Sequence, residues 1–118
     1  MHSHHISFKH ALDGIITALT TQPNFRIHLT LSLIAVILGI LTKISGQEWA
    51  IIALTIAGGL SIELLNTAIE FTVDLLTDQH HLLAKYAKDT AAGAMLVYAI
   101  GSLAVGAFIF LPKLWPYI

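Results

Sequence analysis

Glu63-Leu64-Leu65-Asn66-Thr67-Ala68-Ile69-Glu70, continuing through Asp74, is the stretch on which the reading of this chain turns. At the roughly 100° per residue of an α-helix, Glu63, Asn66, Glu70 and Asp74 fall within an arc of about 80°. Leu64, Leu65, Ala68, Ile69, Leu75 and Leu76 take the opposite side. One helix thus carries a polar stripe, and the stripe begins where the apolar run Trp49–Ile62 ends. A carboxylate at the end of a membrane-length run is costly to place, which makes Glu63 a functional-site candidate by default.

Composition points to the same setting. Hydrophobic residues make up 56% of the 118 and charged ones 11%, about half the charged share usual in a soluble domain. The length has room for one domain, residues 1–118. Formal net charge is −1 with no basic patch, which argues against a nucleic-acid partner. The absence of cysteine excludes disulfides and thiolate metal sites. Met1–Ser7 is polar and Asp13 interrupts the next segment, so no signal peptide is expected and the chain should reach the membrane through its own helices.

The expected fold is all-α and membrane-integral, an amphipathic surface helix followed by three transmembrane helices. Phe8, Ala11, Leu12, Ile15, Ala18 and Leu19 share one side of a helix over about residues 6–21, opposite Lys9, His10, Asp13 and Thr17. That pattern suits a helix lying in the membrane interface. Pro23 then forbids its continuation and pushes Gln22 out of the helical region. The spans are expected at about 26–44, 48–77 and 83–111. The first is flanked by Arg26 and Lys43, both expected to snorkel toward headgroups. Ser45-Gly46-Gln47-Glu48 reads as a tight turn, with Trp49 as an interface anchor, and the third span is expected to end at Pro112. Four of the six Lys and Arg residues (Lys9, Arg26, Lys85 and Lys88) fall on the side that also holds the open end of the stripe. That bias predicts a cytoplasmic N-terminus and a stripe that opens toward the cytoplasm.

If the chain is a kinase acting on an alcohol, the reaction needs a positioned hydroxyl, a group to receive its proton, cationic compensation for phosphate and usually a divalent metal. No glycine-rich phosphate loop occurs, so helix side chains must supply these parts. Glu63, deepest of the stripe, is placed to be the base. Glu70, about two turns further on, offers hard oxygen to magnesium on ATP phosphates. Asn66 lies between them as a neutral hydrogen-bonding group. Lys88 can offset phosphate charge, and Asp89 can orient Lys85 four residues away or meet the nucleotide. The bland alternatives are a wet helix face for Glu70, Asp74 and Asp78, polar helix packing for Glu63 and Asn66, orientation-setting cations for Lys85 and Lys88, and a packed or interfacial His28.

Glu63-x-x-Asn66-x-Ala68-Ile69-Glu70-x-x-Val73-Asp74, followed by His81-x-Leu83-Ala84-x-x-Ala87-Lys88-Asp89, resembles the signature of the small bacterial membrane lipid kinases, which comprise the prokaryotic diacylglycerol kinases and the undecaprenol kinases. Ser7-Phe8-Lys9 and Asn24-Phe25-Arg26-Ile27-His28 extend the likeness more weakly. The resemblance implies Glu63 as general base and Glu70 as metal and nucleotide ligand. It implies nucleotide contacts from Lys88, Asp89, His10 and the loop Gln79, His80 and His81. Asn24, Arg26, Asn66 and Trp49 join Glu63 as expected lipid contacts. It further implies homotrimers with active sites shared between neighbouring subunits. Two departures stand out. Gln22 occupies the place of a metal-binding glutamate in many members, and Ser3 that of an arginine near the nucleotide in some.

The resulting expectation is an ATP- and magnesium-dependent kinase in the bacterial cytoplasmic membrane, acting on the hydroxyl of undecaprenol or diacylglycerol, with a lean to undecaprenol from the Asn24–His28 segment. A small ion- or proton-coupled transporter using Glu63 as an intramembrane carboxylate is the alternative, although neither repeats nor broken helices support it. A non-enzymatic scaffold would leave the stripe and Lys88-Asp89 without a role.

Overall fold

The computed structural model describes residues 7–118, so the departure at Ser3, the N-terminal histidines and the first residue of the expected surface helix lie outside the described residues. Among the described residues all regular structure is helical: α1 (Phe8–Thr21), α2 (Pro23–Thr42), α3 (Gly46–Leu76) and α4 (Leu82–Leu114), closed by a 3-10 turn at Trp115–Tyr117. Helices α2, α3 and α4 are each long and apolar enough to cross a membrane. α3 and α4 run antiparallel and form the main seam, α2 packs on both, and α1 lies against α2 and α3.

Most hydroxyl groups in these apolar helices are satisfied locally, as a hydrocarbon setting demands, Ser102 Oγ on α4 being a buried exception. Thr30, Ser32, Thr42, Thr55, Ser61, Thr67 and Thr72 each donate to the carbonyl four residues back. The joint between α1 and α2 is a single residue. Gln22 has extended backbone, its N–H donates to Ala18 O at 2.9 Å, and Pro23 begins α2 at a position where its missing N–H costs nothing. α2 therefore starts earlier than the expected 26. Arg26 is exposed at this joint. Its Nη1 donates to Leu19 O at 2.7 Å and ties the last turn of α1 to α2, a favourable place for a cation because carbonyls at a helix C-terminus carry partial negative charge.

Two expectations about the helix ends are corrected. Ser45–Glu48 is not a tight turn but the capped start of α3. Ser45 Oγ accepts from Glu48 N at 3.1 Å, and Glu48 Oε1 accepts from Ser45 N at 2.9 Å, a reciprocal capping box. The reversal occurs one step earlier, at Lys43, whose φ of 55° lets Ile44 fold back so that its N–H reaches Gly39 O at 3.2 Å. The third long helix does not stop at Pro112 but continues to Leu114. So near a C-terminus a proline forfeits one hydrogen bond without breaking the rod.

The buried cluster sits at this end of the bundle. Ile44, Ile52, Ile109 and Phe110 pack together, with Leu38, Trp49, Ile56, Val105 and Leu114 around them. Gly39 makes room for the Trp49 ring, since a Cβ there would stand 2.8 Å from Cη2. Lys113 Nζ adds a pair to Glu48 Oε1 at 3.3 Å across α4 and α3. The Gln22, Asp74 and Lys88 end lies at the opposite pole.

Candidate active site

The stripe on α3 runs from the bundle into a cleft. Glu63 lies deepest, its side chain only 12% exposed. Asp74 is eleven residues further along, roughly 16 Å at helical rise, and opens into a cleft of about 410 Å³ between the end of α3 and the start of α4. This volume is within the range of small-molecule sites. Asp78, Gln79, His80, His81, Lys85, Lys88 and Asp89 line it with Asp74.

The cleft is held open by local bonds. Thr77 Oγ1 accepts from Gln79 N at 3.1 Å, which fixes the exit from α3. His81 Nδ1 accepts from Leu83 N at 3.1 Å, so this expected nucleotide contact caps α4 with one nitrogen. α4 begins directly after it, so the positive end of the helix faces the cleft. Lys85 pairs with Asp89 one turn on, the arrangement the spacing suggested. Lys88 Nζ meets Asp74 Oδ1 at 2.6 Å across the two helices. Both side chains of that last pair are substantially exposed, 38% and 61%. Such an exposed pair is weak, so an anion entering the cleft would draw Lys88 away at little cost.

Glu70 is half-buried one turn before Asp74 and lies within electrostatic reach of both Glu63 and Lys88. Asn66 Oδ1, between Glu63 and Glu70, is buried with no hydrogen-bond partner among the described residues. An acceptor in that condition is costly unless a donor arrives.

Other expected site residues are not gathered here. Trp49 lies roughly 21 Å along α3 from Glu63 and packs on the far-end cluster. His10 is exposed on α1, outside the residues lining the cleft. Gln22 is spent partly on the α1–α2 joint, its Nε2 donating to Thr21 Oγ1 at 3.2 Å. Asn24 is exposed in the first turn of α2. Among the described residues, no three His, Asp or Glu side chains converge on a point where a metal could sit.

Three features escaped the sequence reading. His28, on α2, brings Nδ1 to 3.9 Å from Glu63 Oε1. Its ring occupies the space that a Cβ on Gly59 would need. Tyr98, on α4, crosses Gly58 and Gly59 and donates its hydroxyl to Thr55 O at 2.8 Å. The available signal was the pair Gly58-Gly59 within an apolar helix, since small residues there mark close approach.

Comparison with known proteins decides the family. The model of the family described as prokaryotic diacylglycerol kinase matches residues 9–110. The chain belongs to the prokaryotic diacylglycerol kinase family. It is 54% identical to undecaprenol kinase of Bacillus subtilis over 108 residues, covering 92% of this chain and 88% of that protein. It is 43% identical to diacylglycerol kinase of Synechocystis, covering 92% of this chain and 63% of that longer relative. The diacylglycerol kinase of Pseudomonas aeruginosa is 33% identical over 88 residues, 75% of this chain and 72% of that protein. Nothing in these relations supports the transporter alternative.

Proposed function

We propose that this family member is a multi-pass membrane lipid kinase that transfers the terminal phosphoryl group of ATP to the hydroxyl of undecaprenol. The observation that carries the reading is relatedness across nearly the whole chain to an undecaprenol kinase. Diacylglycerol is the second acceptor to consider, because the Synechocystis relative bears that name at lower identity. The partly buried carboxylate leading to a charged cleft supports a division of labour, with lipid at Glu63 and nucleotide toward Asp74.

In this reading the lipid hydroxyl hydrogen-bonds to Asn66 Oδ1 or Glu63. Glu63 accepts its proton as the oxygen forms a bond to the γ-phosphorus, and the bond from that phosphorus to the β-phosphate oxygen breaks to release ADP. Lys88 leaves Asp74 to offset phosphate charge, and the start of α4 adds its partial positive charge. The donor chemistry fits magnesium shared with phosphates rather than a cage made by protein alone, since hard carboxylates are present but, among the described residues, no three ligands converge. Glu70 and Asp74 would hold the ion, which when bound would offset negative charge on the phosphates. Gln22 would join that set only through its Oε1, since its Nε2 donates to Thr21. The site opens on the cytoplasmic side, where ATP is, and the apolar surface that one chain leaves exposed on α2 and α4 is covered by lipid and by two further copies in a trimer.

The test is direct. Purified protein in mixed micelles receives labelled ATP, with undecaprenol or diacylglycerol as acceptor, with and without magnesium. Preferential labelling of undecaprenol is expected. Labelling of diacylglycerol alone would reassign the acceptor, and no labelled lipid in either arm would sink the kinase reading.

A further inference from the structure

We propose that His28 is a positioning residue for Glu63: seated on Gly59, its imidazole holds the carboxylate in the orientation that meets the acceptor hydroxyl. The proposal rests on the reading of Glu63 as the base.

Three observations converge on it. First, among the described residues the imidazole is the one basic group paired with Glu63; Lys88 and Lys85 are engaged by Asp74 and Asp89. The Nδ1 to Oε1 distance of 3.9 Å exceeds a direct hydrogen bond and is within reach of an electrostatic contact. Second, both partners are shielded, at 25% and 12% exposure, where a weak dipolar contact counts for more than in water. Third, the backbone is shaped for the ring. Gly59 lies one turn before Glu63 on the same face, and a Cβ there would overlap the imidazole. From α4, Tyr98 closes on the same glycine and is itself fixed through its bond to Thr55 O. A histidine with only a space-filling role would not need its polar edge aimed along α3 at the next carboxylate. A glutamate held by nothing samples several rotamers, and a misplacement of about 1 Å can cost on the order of 100-fold in rate.

The experiment measures kcat and KM for ATP in the purified kinase with saturating lipid. His28→Ala should lower kcat by about 10-fold or more and leave KM for ATP within about twofold, as loss of orientation rather than of binding requires. His28→Asn, which returns an amide nitrogen near the Nδ1 position, should recover most of the rate. Gly59→Ala should also lower kcat, because its methyl would displace the ring from Glu63. Wild-type kcat in His28→Ala, with Glu63→Gln impaired, would overturn the positioning role and leave Glu63 as base. A loss in His28→Ala that His28→Asn fails to recover would overturn it too, in favour of packing. Normal turnover in Glu63→Gln would remove the base reading and this proposal with it. If His28→Ala does not accumulate, His28→Gln replaces it; its amide is one bond longer, and a rate equal to that of His28→Asn would count against the proposal.

Discussion

Glu63 and Lys88 illustrate two ways in which a charged residue is placed. Glu63 is largely shielded, and the group paired with it is the His28 imidazole. Replacing its ionisable oxygen should therefore act on chemistry more than on binding. Glu63→Gln is expected to lower turnover by about 100-fold or more, the usual scale for a general base, with nucleotide affinity little changed; equilibrium ATP binding beside steady-state rates is the check. Lys88 stands at the open end, bonded to a carboxylate that is itself mostly exposed. Its loss should leave folding nearly untouched, since such pairs contribute little. Lys88→Met should raise KM for ATP by about 10-fold, the loss of one charge-assisted contact, while the melting temperature stays close to wild type. A Lys88→Met protein that melts many degrees lower with unaltered KM would show that the pair with Asp74 is structural.

At the scale of the element, the length of three apolar runs made the long helices readable, and 3.6-residue spacing made the stripe on the second of them readable. Helix ends were less readable, because there a few local bonds outweigh the general tendency. Ser45 and Glu48 look like turn residues, yet their three-residue spacing is also that of a capping box. Pro112 looks like a stop, yet the last turn of α4 passes through it. The box has a measurable weight. Ser45→Ala should destabilise the kinase by about 1 kcal/mol, read as a lower midpoint in detergent-denaturant unfolding. Because Ser45 lies at the pole opposite the cleft, the rate of the folded fraction should not change.

For the molecule as a whole, what could not be read was which helix faces which. Glu63 and His28 are 35 positions apart in sequence, and nothing in either segment names the other. The Tyr98 hydroxyl finds carbonyls at Leu54 and Thr55, a pairing set only by the crossing of α3 and α4. Orientation is the remaining whole-molecule property, and the native chain has no cysteine to confuse its measurement. Single cysteines at Gln79 and Ser45 lie at opposite poles of the bundle. Under an impermeant thiol reagent on intact cells, Ser45→Cys should label and Gln79→Cys should stay protected; the opposite pattern would reverse the topology.

The seam between α3 and α4 is fastened unevenly. At one pole Ile52, Ile109 and Phe110 close it with Ile44, and Glu48 grips Lys113. At the other, Lys88 and Asp74 clasp each other weakly beside the cleft. The pair of helices is thus built like tweezers, riveted at the grip and free at the tips. Opening in such a tool grows with distance from the rivet, so a small flex at Tyr98 becomes a wider gape at the Asp74 tip. Backbone amides should report this as a gradient, exchanging slowly around Ile52 and Phe110 and progressively faster toward Val73 and Leu83. Bound nucleotide should then slow exchange at the tips and leave the grip as it was.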